Sequence, residues 1–209
     1  MIEASPSWAR DAIEAACERA ADWYRGLPRF STRVNLGSVV GFRQPAILSE
    51  QDCVINFARF LNEVGVPWDA LHHEVSRSRW LFESPHPAAA VKWRVDLALI
   101  HSEDLLRADL PATDSRFSFD AVLEFAYMSD SWSLPGAVRY GEPAKSRAKV
   151  KRDIEKVAGY LNAGVCRYGY VIVFEEANSE FATDLAAQAE ADTDCRVRFI
   201  RGYGAGPDD

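Results

Sequence analysis

Residues 121–127, Ala-Val-Leu-Glu-Phe-Ala-Tyr, are an apolar run broken by one carboxylate, Glu124. A charge in the middle of such a run constrains the segment strongly. Side chains alternate across a strand, so Val122, Glu124 and Ala126 share one face. Ala121, Leu123, Phe125 and Tyr127 share the other, which reads as pure core. A second run, residues 93–100, repeats the pattern with Asp96, and there Arg94, Asp96 and Ala98 share a face. An unpaired buried acid is costly, so each acid requires a cation. Arg94, a lysine or a metal ion would serve. A third run, residues 168–174, is apolar and rich in aromatic and β-branched residues, as expected of an inner strand covered on both faces.

The segments around these runs read in order. Helical spacing of apolar residues predicts helices over residues 7–25, capped by Ser5 or Ser7, and 49–64, capped by Ser49 with Asp52 three positions on. Residues 30–45 read as loop or edge strand. Strands are predicted over 72–82, 92–100 and 119–127, with loops over 102–118 and 135–143. A helix over 145–161, closed by Asn162-Ala163-Gly164, leads to the strand at 168–174. A helix over 179–191 and a short strand over 196–200 follow, and 202–209 is a loose tail. Three consecutive strands imply an antiparallel meander, and each later helix returns the chain to another strand. The expected fold is α/β, a mixed β-sheet core flanked by helices.

With 209 residues and 48% apolar content, one domain is expected: an N-terminal helical extension over 1–45, a core over 46–201 and the tail. No apolar run reaches membrane-spanning length, and Met1-Ile2-Glu3-Ala4-Ser5-Pro6 does not resemble a secretion signal, so no membrane partner is expected. Cys17, Cys53, Cys166 and Cys195 are isolated, which suggests reduced, mostly buried thiols in a cytoplasmic protein. A net charge of −7 gives no long-range attraction to nucleic acid, so any such contact must come from a local patch. One exists: Lys145, Arg147, Lys149, Lys151 and Arg152 fall within eight residues free of acids. Their positive charge at a helix start opposes the macrodipole, which favours an anionic partner nearby. The tryptophans of the first helix offer a surface for a homodimer.

The order helix, strand, strand with Asp96, strand with Glu124, helix, strand resembles the layout of the restriction-endonuclease-like, PD-(D/E)XK, nuclease superfamily over residues 49–174. Glu50 opens the first core helix, where that superfamily often has a Glu. Glu74 lies in the first strand. Asp96 and Glu124 stand in place of the two motif acids. Lys156-Val157-Ala158-Gly159-Tyr160 is similar to the QxxxY signature of the exonuclease branch, with Lys for Gln. The motif's lysine, two residues after its second acid, is replaced here by Ala126. Some members supply it from the following helix, where Lys149, Asp153, Lys156 and Tyr160 share a face.

The resemblance implies metal-dependent phosphodiester hydrolysis of nucleic acid, in defence or repair. Asp96 and Glu124 would bind Mg²⁺ or Mn²⁺, helped by Glu50. Lys156, or else Lys149, would act as the migrated lysine, and Lys145, Arg147, Lys149 and Lys151 would contact nucleic acid. Ala126 and the acidic net charge lean instead toward a nuclease-fold protein without catalysis, acting as a binding or assembly module. In an unrelated α/β domain Asp96 and Glu124 would simply pair with Arg94 and a lysine, and Lys156 with Asp153. Both nuclease-derived readings require Asp96 and Glu124 on one side of the sheet.

Overall fold

A computed structural model describes residues 7–27, 29–32, 42–45, 50–76, 94–100, 119–128, 143–162, 164, 166–175 and 180–201. Helix α1 (Trp8–Gly26) is followed by β1 (Arg29–Thr32) and β2 (Phe42–Pro45). These two pair antiparallel as a separate two-stranded sheet, so the two described ends of the ambiguous 30–45 segment are strands. Helix α2 (Glu50–Glu63) leads through a single 3₁₀ turn into β3 (Leu71–Ser76), β4 (Arg94–Leu99) and β5 (Phe119–Met128). Helix α3 (Pro143–Asn162), β6 (Cys166–Glu175), α4 (Glu180–Thr193) and β7 (Arg196–Arg201) complete the chain.

The main sheet runs β3-β4-β5-β6-β7. β3, β4 and β5 form the antiparallel meander, while β5–β6 and β6–β7 are parallel, each joined through a helix. The expected mixed sheet flanked by helices is therefore present. The strand expected over 72–82 ends at Ser76, and its remainder lies outside the described residues, as do the loops at 102–118 and 135–142, Ser5, Ser49 and the tail. Ser7 does occupy the N-cap of α1, but it makes no side-chain cap bond to the backbone. Its hydroxyl instead donates to Asp11 Oδ2 at 2.7 Å.

Alternation sorts the strands between two cores. Leu97, Leu99, Ala121, Leu123, Phe125, Tyr170, Ile172 and Phe174 pack under α1 and α2. Ala98, Val122, Ala126, Val171, Val173 and Val197 pack under α3 and α4. The result is three layers. Trp23 of α1 belongs to the first core, its ring 5.6 Å from Phe60 and 6.3 Å from Phe174, and Trp8 packs there too. Both tryptophans of this helix are half-buried against the core. α1 is also tied to the far edge of the sheet. Glu14 accepts from Arg198 Nη2 at 2.8 Å and Nε at 2.9 Å, from Arg196 at 3.4 Å and from the Tyr170 hydroxyl at 3.2 Å.

All four cysteines are buried free thiols, and burial pushes Cys17, Cys166 and Cys195 up to about 12. No described helix is long and apolar enough to cross a membrane.

α3 lies directly on the backbone of β6. A Cβ at Gly169 would overlap Val157 Cγ1 and stand 2.9 Å from Leu161 Cδ1. Gly169→Ala is expected to lower stability by about 1–3 kcal/mol through overpacking, seen as a lower denaturant midpoint at unchanged slope.

Candidate functional site

The antiparallel ladder between β4 and β5 pairs Leu99 with Ala121, Ala98 with Val122 and Leu97 with Leu123, and there it stops. The next two residues in register are Asp96 and Glu124. Beyond them β4 remains paired to β3, out to Ser76 with Arg94, while β5 remains paired to β6, out to Met128 with Glu175. The sheet therefore forks, and the two acids sit where it divides.

A fork exposes ladder groups that must find other partners. Phe125 N–H donates to Asp96 Oδ2 at 2.9 Å, and Phe125 C=O accepts from Lys149 Nζ at 2.5 Å. On the other prong, the Arg94 carbonyl accepts from Lys156 Nζ. Two α3 lysines and one acid thus replace the missing strand partner. The spacing of Lys149, Asp153 and Lys156 along one helix face lets all three reach the same opening.

Glu124 is 3% exposed, and Lys156 Nζ lies 2.6 Å from its Oε1. Burial, and after it the charge of Asp96, push the Glu124 carboxyl up to about 8 against the pull of Lys156. Lys149 Nζ stands 2.9 Å from Glu50 Oε2 and 3.0 Å from Asp153 Oδ2. Burial would lower the Lys149 ammonium, but the Asp153 and Glu50 carboxylates outweigh it and hold it above the ordinary lysine range. Burial raises Asp153 despite Lys149. The Tyr160 phenol is also held well above its usual range, by burial and then by the Glu124 charge. Glu50, Asp96, Glu124, Asp153, Lys149 and Lys156 are therefore one electrostatic unit.

Asp96, Glu124, Lys156, Lys149 and Glu50 are all brought to the fork. Asp96 acts on Glu124, Asp153 and Tyr160 and so lies with them on the α3 side of the sheet, where Ala98, Val122 and Ala126 pack; Val95 packs there too, so β4 departs from strict alternation beside Asp96. Several expectations are corrected. Arg94 pairs with Glu74, and not with Asp96. Asp153 pairs with Lys149, while Lys156 pairs with Glu124. Glu74 lies one strand over in the same register row, but it points away into that exposed pair from a left-handed backbone, φ 50°. A non-glycine residue held there is strained by about 1–3 kcal/mol. Lys151 is exposed on α3, and the side chains of Lys145 and Arg147 lie outside the described residues. Ala126 is 2% exposed beneath α3, so a lysine there would have to displace core. The sequence reading gave no functional role to Asp153, although its place on the lysine face was visible.

The geometry also separates the two candidate lysines. An ammonium has three N–H donors. Lys149 directs all three to Glu50, Asp153 and the Phe125 carbonyl. Lys156 has two partners among the described residues, the Arg94 carbonyl and, in an ion pair poorly angled for a hydrogen bond, Glu124 Oε1. One donor remains to it, and its side chain is 26% exposed.

Among the described residues no group of three or more His, Cys, Asp or Glu side chains is arranged to hold a metal ion. Asp96 and Glu124 do fit a hard divalent cation that completes its shell with water. They are two oxygen donors on adjacent strands whose charges repel. Around them, four carboxyl groups face two ammonium groups, and a cation that takes Glu124 must displace its proton.

No family model matches the chain, and no curated protein or solved structure is significantly similar to it.

Proposed function

We propose that the fork between β4 and β5 is the active site of a restriction-endonuclease-like nuclease that hydrolyses phosphodiester bonds of DNA or RNA with Mg²⁺ or Mn²⁺. The observation that supports this best is the convergence of Asp96, Glu124 and a helix-borne lysine at the point where the sheet divides. The order of secondary structure, with one acid on each of two adjacent strands and the lysine helix next, supports the same reading.

Asp96 and Glu124 would hold the metal. When bound, it supplies a water of lowered pKa and neutralises charge on the scissile phosphate. Asp96 is aimed by its bond to the Phe125 N–H, which leaves its second oxygen for the cation. Lys156 directs its remaining N–H at the attacking water or a phosphate oxygen. Glu50, Lys149 and Asp153 do not touch the reacting atoms. They brace the open edge of β5 and are positioning residues. Lys145, Arg147 and Lys151 lie along the first turns of α3 and bind the phosphate backbone. Lys149, whose donors are filled, is withdrawn from that role.

A specific observation favours a second reading, a nuclease-fold binding module without catalysis. Ala126 is buried under α3, and Lys156 is already paired with Glu124. The deciding experiment incubates plasmid, single-stranded DNA and RNA with Mg²⁺ or Mn²⁺. Metal-dependent cleavage that falls about a hundredfold or more in Lys156→Ala supports the nuclease. No cleavage of any substrate, with no metal-dependent rise in melting temperature, supports the module.

A further inference from the structure

We infer that Lys156 is the resident cation of the fork, and that a divalent ion must take Glu124 from it before Lys156 can offer a phosphate two donors. The inference rests on the proposed metal site and concerns how that site is switched on. The Lys156 ammonium is 2.6 Å from Oε1 of a carboxyl that is 3% exposed. It therefore stands where a metal ligated by that oxygen would need room, and two cations so close on one carboxylate repel. The Lys156 ammonium also reaches across to the Arg94 carbonyl on the other prong.

The neighbouring lysine shows the contrast. Lys149 is held by two carboxylates and a carbonyl, with no donor to spare and no reason to leave. Lys156 has one carboxylate, one carbonyl and a free donor among the described residues. It is the lysine that can exchange. When a metal claims Glu124, Lys156 keeps the Arg94 carbonyl as a tether and gains a second donor for an anion. Until then Lys156 has a single donor for a phosphate, so bound metal strengthens its hold on the anion.

The test is Mg²⁺ binding by calorimetry, in mildly alkaline buffer, to the full chain and to Lys156→Met, Lys156→Arg, Glu124→Gln and Asp96→Asn. Melting without metal confirms that each variant is folded. Lys156→Met is expected to bind Mg²⁺ about tenfold more tightly, having lost one charge-assisted competitor. Lys156→Arg keeps the charge and is expected to bind like the wild type. Labelling of the Lys156 amine by reductive methylation, read by mass spectrometry, is expected to rise when Mg²⁺ is added to the wild type. Equal or weaker binding in Lys156→Met, with binding still lost in Glu124→Gln and Asp96→Asn, overturns this inference and leaves the metal site standing. Mg²⁺ binding absent from every protein, Lys156→Met included, removes the metal site and this inference with it.

Discussion

Glu124→Gln is expected to reduce metal-dependent cleavage by about a thousandfold, the scale on which a single preorganised charged or polar group at a reacting phosphate or carbonyl is felt. The substitution keeps the volume of a buried side chain on the face of β5 that carries Val122 and Ala126, so the core has no reason to collapse. It removes the carboxyl that would lose its proton to ligate the metal and leaves Lys156 beside a neutral amide. The fold should therefore survive while the site loses charge. Asp96→Asn is expected to fall to a similar level. The double variant should fall little further, because the two acids act as one unit. Initial rates on a plasmid substrate, with circular dichroism as the control for folding, would measure this. Full activity in Glu124→Gln would remove the fork from consideration as the catalytic centre.

The metal-free protein is also expected to lose stability as pH rises through the neutral range. Folding moves Glu124 from 4.5 to about 8. Between those values the folded chain keeps a proton that the unfolded chain has released, so unfolding becomes easier with rising pH. The contribution is complete below 4.5 and gone above about 8. At about 1.4 kcal/mol per pH unit the span amounts to about 5 kcal/mol for a side chain this deeply buried. Asp153, also raised by burial, adds in the same direction. Denaturant midpoints taken across that span should fall in the wild type and stay nearly flat in Glu124→Gln. Parallel curves for the two proteins would show that Glu124 is not the titrating group.

Much of this fold is legible in the chain because periodicity is a local signal. The alternation around Asp96 and Glu124 identified two strands and the faces of their acids, and the uncharged run at 168–174 identified the inner strand β6. The spacing of Lys149, Asp153 and Lys156 put them on one helix face. Which of these groups would pair was not legible. Arg94 is two residues from Asp96, and Asp153 is three from Lys156, yet neither neighbour is the partner found. Partner choice depends on where the β4–β5 ladder ends, and that is a long-range register that no local spacing encodes. Glu74 is a related case. Nothing in His73-Glu74-Val75 signals a left-handed residue, because the strain is imposed by the sheet around it.

The fork also divides the sheet mechanically. β5 is zipped to β6 through nine register pairs and to β4 through three described ones, so the β4–β5 junction is a seam. To one side of it stands the β3–β4 hairpin, and to the other the parallel slab β5–β6–β7 with its two crossover helices. Local opening follows the boundary with the fewest shared bonds, and the acids and lysines line the end of that boundary. The proposed site thus sits where the sheet is already open, while the three pairs behind it are backed by both cores and hold the two strands together.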